Sequence, residues 1–290
     1  MLMVEIAVLG GDLRTISLMN TLSSYANRIY TVGFNQKEVG VEVCERTLEN
    51  LPYERLNAII LPVQGVGTDG TVPTLDGDPL KLDPSHIERT GEQCLFITGV
   101  LTPFLKANVP RKVISWMSRE DVAIANSIPT AEGCLRLAIE NTAHTIHSAT
   151  VFILGYGRCG KTIADLFSGS GANVIVYTNE DGEIARAKQR GFVARSFLNI
   201  TDDADEADVC INTVPSRVLT PELFQKMKST CFILDISSAP GAFDPGVAKA
   251  FPQKILNVPG IPGKVAPKSA GEILGRATIK IFEKEFGHGT

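Results

Sequence analysis

The stretch Val151-Phe152-Ile153-Leu154-Gly155-Tyr156-Gly157-Arg158-Cys159-Gly160-Lys161 decides the fold. Its apolar beginning reads as a strand buried on both faces, and it turns through Gly-x-Gly-x-x-Gly into a helix over residues 161–167. The three glycines differ in role. Gly155 permits the tight turn, Gly157 lets the backbone approach a pyrophosphate, and Gly160 lets helix and strand pack closely. The next apolar run, Asn173-Val174-Ile175-Val176-Tyr177, follows at the spacing of a strand-helix-strand unit. The pattern therefore predicts a dinucleotide site in which Gly155, Tyr156, Gly157, Arg158, Cys159 and Gly160 form the phosphate turn. Cys159 has two readings, a thiol acidified at a helix N-terminus or a small side chain packed within the turn.

Further along, the residue ending the second strand is where NAD-binding chains usually carry an acid for the ribose hydroxyls. Here Thr178 and Asn179 stand there, uncharged and able to donate to a 2'-phosphate, so NADP is expected. Glu180 and Asp181 follow at once and keep NAD as the alternative. Cys210-Ile211-Asn212-Thr213-Val214-Pro215 ends another strand at the sheet's C-terminal rim, which places Thr213, Val214 and Pro215 beside the nicotinamide half. Asp235, one strand later, reads either as an orienting carboxylate or as a turn cap.

Short β-branched runs alternate with helical segments over the rest of the chain, as in parallel α/β sheets. Strands are expected at residues 4–9, 28–34, 57–61, 94–98 and 112–115 in the first half, and at 150–154, 173–177, 208–213, 230–236 and 254–258 in the second. The fold class is α/β, two Rossmann-like parallel-sheet domains with a cleft between them and a C-terminal helix returning to the first. The expected boundaries are 1–125 for a substrate and catalytic domain, 126–268 for the dinucleotide domain with its linker helix, and 269–290 for the returning helix. The junction is read at Asn126-Ser127-Ile128-Pro129-Thr130-Ala131-Glu132-Gly133, followed by a helix to about Ile146 carrying His144 and His147 on its surface. Ser269-Ala270-Gly271-Glu272 has capping-box spacing and should open the last helix. The loop over residues 64–79 has neither strand nor helix pattern.

Composition sets the outer bounds. With 290 residues, 44% hydrophobic and 21% charged, the chain suits about two domains, and area scaling buries roughly three quarters of its surface. No run approaches the ~20 apolar residues of a membrane span. Lys and Arg number 28 against 32 Asp and Glu, without a basic block, so neither membrane nor nucleic acid is an expected partner. Six dispersed cysteines, never as Cys-x-x-Cys, read as reduced thiols of a cytosolic protein. The histidines have no companion Cys, Asp or Glu set, so no metal is expected.

Two places suit a substrate anion. Gly10-Gly11-Asp12-Leu13-Arg14 turns from strand to helix without the dinucleotide pattern, and Arg14 either grips a carboxylate or forms a structural ion pair. The rigid Pro-Gly stretch 257–271 runs into a helix N-terminus flanked by Lys264 and Lys268, either a carboxylate site or a linker with solvated lysines.

These blocks, in order, resemble the dipicolinate synthase A subunits of spore-forming bacteria: Gly10-Gly11-Asp12-Leu13-Arg14, Ile128-Pro129-Thr130-Ala131-Glu132-Gly133, Gly155-x-Gly157-x-x-Gly160, Ile211-Asn212-Thr213-Val214-Pro215-Ser216 and Pro259-Gly260-Ile261-Pro262-Gly263-x-x-Ala266-Pro267-Lys268. The final block is more weakly similar to methylenetetrahydrofolate dehydrogenases, and the glycine-turn half to 2-hydroxyacid dehydrogenases. Ser238-Ala239-Pro240 lacks the arginine those hydroxyacid enzymes use, which argues against an ordinary 2-hydroxyacid substrate.

The resemblance implies an oxidoreductase that, with a flavin-binding B subunit, converts a dihydrodipicolinate-type intermediate to dipicolinate in the cytoplasm of a sporulating mother cell. It makes Arg14, Lys264 and Lys268 the partners of two substrate carboxylates and gives Asp12 or Glu132 the proton. The expected partners are the flavin-binding B subunit, one small dicarboxylate and further copies of the chain. The alternatives are an NADP-binding regulatory module, or a dehydrogenase acting on a folate or an amino acid.

Overall fold

The structure, a computed structural model, describes residues 3–34, 41–75 and 77–287. The chain divides into two compact units, Met1–Ala125 with Ala266–Thr290, and Asn126–Val265. The second boundary lies three residues before the expected one at 268/269, because the last helix starts earlier than its capping signal suggested.

In the first unit the elements run β1 (Glu5–Leu9), α1 (Leu13–Leu22), β2 (Arg28–Val32), β3 (Cys44–Glu45), β4 (Ala58–Ile60), β5 (Thr71–Val72), β6 (Leu80–Lys81), α2 (Pro84–Glu88), β7 (Leu95–Thr98), α3 (Pro103–Asn108) and β8 (Val113–Ser115). The main sheet is parallel throughout, in the order β3-β2-β1-β4-β7-β8. Alternation along β1 sends Ile6 and Val8 into one apolar layer and Ala7 and Leu9 into the other. Glu5 is the buried exception, and it is matched by Arg55 at 2.6 Å and by the Tyr30 hydroxyl at 3.2 Å.

α4 (Glu120–Asn141) contains the boundary between Ala125 and Asn126, so the expected junction at residues 126–133 is helix, Pro129 included. Pro129 has no N–H to give a carbonyl one turn back, and next to it the Thr130 hydroxyl donates to the Asn126 carbonyl at 2.7 Å. The helix stops at Asn141, short of Ile146, which leaves His144 and His147 in the turn that follows instead of on a helix face.

The second unit continues with β9 (Thr150–Leu154), α5 (Arg158–Gly169), β10 (Asn173–Tyr177), α6 (Asp181–Gln189), β11 (Val193–Arg195), β12 (Val209–Asn212), α7 (Pro221–Lys226), β13 (Phe232–Asp235), α8 (Pro245–Ala248), β14 (Lys254–Asn257) and α9 (Ile261–Val265). Its sheet is also parallel, in the order β11-β10-β9-β12-β13-β14. Val151 and Ile153 face one layer, Phe152 and Leu154 the other. The strands expected at 150–154 and 173–177 stand as read, and the other expected strands shift at one or both ends by one or two residues. The short β3 and β11 had no apolar run to announce them, being partly exposed.

α10 (Pro267–Phe286) belongs to the first unit and lies along α1. It starts at Pro267 with Ala266 as its N-cap and no side-chain cap, so the Ser269–Glu272 box is not used. A Cβ on Gly271 would run into the Arg14 carbonyl oxygen, and one on Gly275 would meet Thr21 Cβ at 2.5 Å. Contacts that advance together along both helices make them parallel. Leu274, Ala277, Ile281 and Phe282 are thereby buried against the sheet, each large side chain contributing about 1.5–3 kcal/mol. The loop 64–79 is not patternless, since β5 and β6 pair as an antiparallel hairpin.

Candidate functional site

In each parallel sheet the strand order reverses beside its first strand, and ligands bind such folds outside the carboxyl ends at that reversal. In the first unit the place is occupied by the chain itself. The Gly11 N–H donates to the Pro73 carbonyl at 2.8 Å, and a Cβ on Gly10 would run into the same oxygen. The loop leading from β5 fills the crevice a dinucleotide would need.

In the second unit the reversal lies between β9 and β12 and is open. Gly155 turns at φ +89° with its N–H on the Tyr177 carbonyl, and a Cβ there would meet Thr213 Oγ1 at 2.6 Å. Gly160 has the Gly155 carbonyl oxygen where a Cβ would be, so helix and turn touch backbone to backbone. Gly157 differs: no atom lies within 4 Å of its virtual Cβ, and it caps α5 without a side-chain hydrogen bond. Open space in front of an uncapped helix N-terminus is what a pyrophosphate requires.

A cavity of about 540 Å³ extends from this turn. Gly155, Tyr156 and Gly157 border it on one side, and Thr213, Val214 and Pro215 on another. Thr178, Asn179, Glu180 and Glu183 form a third, while Phe197, Ile200, Val218 and Leu223 supply apolar wall. A volume within the ordinary ligand range and a lining that sets apolar wall against hydroxyl, amide and carboxylate groups fit the adenosine half of a dinucleotide. Tyr156 is fully buried, its ring packed in the sheet's other apolar layer and edge-on to Phe192.

The β12 turn is fixed from below. Asn212 is fully buried, donating to the Val214 carbonyl and to Asp235 Oδ1, both at 2.9 Å, and accepting from Val214 N–H at 3.1 Å. Asp235, also fully buried, accepts from Ser237 N–H and Oγ at 3.0 and 2.7 Å and from Ala242 N–H at 2.9 Å. Of its two readings the structure supports the turn cap. Asp235 does not border the cavity; it holds the loop after β13 and, through Asn212, the turn that does.

Arg158, Cys159 and Gly160 form the first turn of α5 but do not border the cavity. The Cys159 side chain packs on the apolar layer, and burial raises its thiol pKa despite Arg158 nearby. The packed reading holds, and the helix terminus does not make this thiol acidic.

Thr178 is buried, and its hydroxyl donates to Glu183 Oε2 at 2.8 Å. Asn179 turns its carboxamide oxygen to Ser196 Oγ at 3.0 Å and Phe197 N–H at 3.2 Å. The uncharged rim behind the expectation of NADP is therefore not what the structure has. Glu183, in the first turn of α6, brings a carboxylate to the position where Thr178 stood alone in the sequence. Sequence reading missed it, as well as Asn212. The available signal was a hydroxyl ending the strand and an acid one turn into the next helix.

The substrate candidates fall in both units. In the first, Asp12 caps α1 in a capping box with Thr15, and Arg14 lies flat on it, Nε at 3.0 Å from Oδ1 and Nη2 at 2.6 Å from Oδ2. Both Asp12 oxygens thus accept from Arg14, which fits a cap and an orienting partner. Lys268 stands exposed in the first turn of α10, whose N-terminal end lies beside that of α1. In the second unit Glu132 is exposed on α4 and Lys264 on α9; these helices pack at Gly133, where a Cβ would run into Ile261 Cγ2. Among the described residues no group of three or more His, Cys, Asp and Glu is placed to hold a metal, and no helix is long and apolar enough to cross a membrane.

Comparison with known proteins agrees with this division. Residues 5–118 match the N-terminal domain of the dipicolinate synthase A subunit, and residues 129–251 the NAD binding domain of D-isomer specific 2-hydroxyacid dehydrogenases. The latter match gives the second unit's cavity a nicotinamide dinucleotide as its ligand class. A crystal structure of L-alanine dehydrogenase, 15% identical with a TM-score of 0.66 over 98% of this chain and 90% of that one, shares the fold. The crystal structure of the dipicolinate synthase A subunit from Bacillus halodurans superposes with a TM-score of 0.92 at 35% identity, covering 96% of this chain and 97% of that one. The dipicolinate synthase A subunit of Bacillus subtilis (strain 168) is 36% identical over 283 residues, 96% of this chain and 95% of the relative. With both domains matched in order and nearly the whole length aligned, the chain belongs to the family of dipicolinate synthase A subunits.

Proposed function

We propose that the chain is the nicotinamide-dependent oxidoreductase subunit of a dipicolinate synthase, oxidising a dihydrodipicolinate-type ring to dipicolinate beside a flavin-binding partner subunit, in the cytoplasm. The observation that carries this reading is the open backbone at Gly157 beside the cavity, where the residues present fit a dinucleotide. A bound nicotinamide would supply the acceptor for a hydride from a ring carbon, with loss of a neighbouring proton making the ring aromatic.

The chain's own residues bind and orient. The N–H groups at the start of α5 hold the pyrophosphate, and Asn212 and Asp235 fix the Thr213–Val214 turn that faces the nicotinamide half. For the substrate, Asp12 holds the Arg14 guanidinium by Nε and Nη2, and the remaining Nη1 edge grips a carboxylate. Lys268, at the neighbouring helix N-terminus of the same unit, adds positive charge for that carboxylate. Within the second unit, Lys264 on α9 is the candidate for a carboxylate and Glu132 on α4 the candidate for the proton.

Replacing Arg14 with Ala, or Lys264 or Lys268 with Met, tests the substrate assignment. Losing one charge-assisted contact costs about 1.5–3 kcal/mol, or roughly ten- to a hundredfold in kcat/KM. Dipicolinate formation should fall by that factor while dinucleotide affinity, followed by fluorescence, stays the same. Full turnover in all three variants would place the substrate elsewhere.

A further inference from the structure

We propose that Glu183 selects the cofactor, making this chain prefer NAD over NADP. The inference rests on the reading of the second unit's cavity as a dinucleotide site. In this fold the adenosine ribose lies at the end of the second strand of the unit, about 20 residues past the glycine turn. That place is Thr178, at the end of β10.

Thr178 cannot serve a 2'-phosphate. A hydroxyl has one proton to donate, and this one goes to Glu183 Oε2 at 2.8 Å. The oxygen also accepts from Glu180 N–H at 3.3 Å. Asn179 has its carboxamide oxygen bound to the loop after β11. What the rim offers the ribose is a carboxylate pinned by a buried hydroxyl, which accepts hydrogen bonds from 2'- and 3'-hydroxyls and repels a 2'-phosphate.

Among the described residues bordering the cavity, no cation compensates at that end. Arg195, on the neighbouring strand, is paired with Asp203, which also receives the Tyr177 hydroxyl at 2.6 Å. Among the described residues bordering the cavity the one cation is Arg217, on the loop after β12, where it pairs with Asp244 at 3.5 Å. Glu180 adds a second negative charge beside Glu183. An acid in the first turn of a helix also stabilises that helix, as Asp181 does without bordering the cavity. The bond to Thr178 is what distinguishes Glu183, because it anchors the carboxylate to the strand end.

The test is a fluorescence titration of the full chain with NADH and with NADPH, for the native protein and for Glu183→Gln. Gln keeps an acceptor for Thr178 and removes the charge, so the unfolding temperature should hold. The native chain should bind NADH at least about tenfold more tightly than NADPH, and the variant should lose most of that preference, chiefly by gaining NADPH affinity. Added salt should narrow the gap in the native chain and leave the variant's unchanged. Equal or tighter NADPH binding by the native chain overturns the proposal, as does a preference that survives Glu183→Gln. Failure to bind either dinucleotide overturns the cavity assignment itself, and the proposal with it.

Discussion

Gly157 and Gly160 stand three residues apart and are glycines for different reasons. Gly157 has empty space before it at an ordinary negative φ of −73°, whereas Gly160 has a carbonyl oxygen where its Cβ would be. Gly157→Ala should therefore change stability by less than about 1 kcal/mol while weakening dinucleotide binding tenfold or more. Gly160→Ala should cost about 1–3 kcal/mol of stability through forced backbone shifts. Urea unfolding and a binding titration on both variants separate the two roles. Asp235 is a third case. Its removal as Asp235→Ala orphans the Asn212 amide and two backbone N–H groups, so stability should fall by about 2–4 kcal/mol. The glycines were legible because the chemistry of a phosphate turn is written in residue type and spacing. Glu183 was not, since its role depends on α6 starting at Asp181 and on a side chain reaching back to Thr178, and neither is encoded in a fixed spacing.

Elements were more legible in existence than in extent. The apolar strands and the returning helix are where alternation and helical periodicity put them, because burial on one or both faces writes those patterns directly. Starts and stops follow weaker signals. The Ser269–Glu272 spacing was correct for a capping box, yet Pro267, suited to the first helical turn, begins α10 two residues earlier. Pro129, read as part of the domain junction, lies within α4, since packing of Ala131, Cys134 and Ala138 in the apolar layer outweighs one missing backbone bond. The hairpin of β5 and β6 went unread because two-residue strands carry no period. For α10 the decisive contact is with α1, where Gly271 admits the Arg14 carbonyl. Gly271→Ala should lower the stability of that unit by about 1–3 kcal/mol, detectable as earlier loss of Trp116 fluorescence, since Trp116 donates to Thr278 on the same helix at 3.0 Å.

Over the whole molecule, the same burial that builds the two sheets governs the thiols. Burial pushes Cys94 and Cys231 up to about 12 and raises Cys134 and Cys210 as well. A thiol whose folded pKa exceeds its unfolded value near 8.5 favours the folded state fully below that value, and its contribution declines as pH rises past it. The urea midpoint should accordingly fall as pH rises from about 8.5 toward about 12, and a thiol reagent should find these four cysteines protected until the chain unfolds. Both units are parallel α/β sheets, yet the chain's own backbone fills the ligand crevice of the first and leaves that of the second open. That difference leaves the second unit's crevice as the one open to a dinucleotide among the described residues, and it suggests the most direct test. With the proposed flavin-binding partner present, the chain is mixed with NAD+ and the freshly formed condensation product of pyruvate and aspartate semialdehyde, and reduced nicotinamide and the pyridine ring are recorded together. The expected result is one reduced nicotinamide for each pyridine dicarboxylate formed, with both signals lost in Gly157→Val. Pyridine formation without nicotinamide reduction, or at an unchanged rate in that variant, would contradict the account.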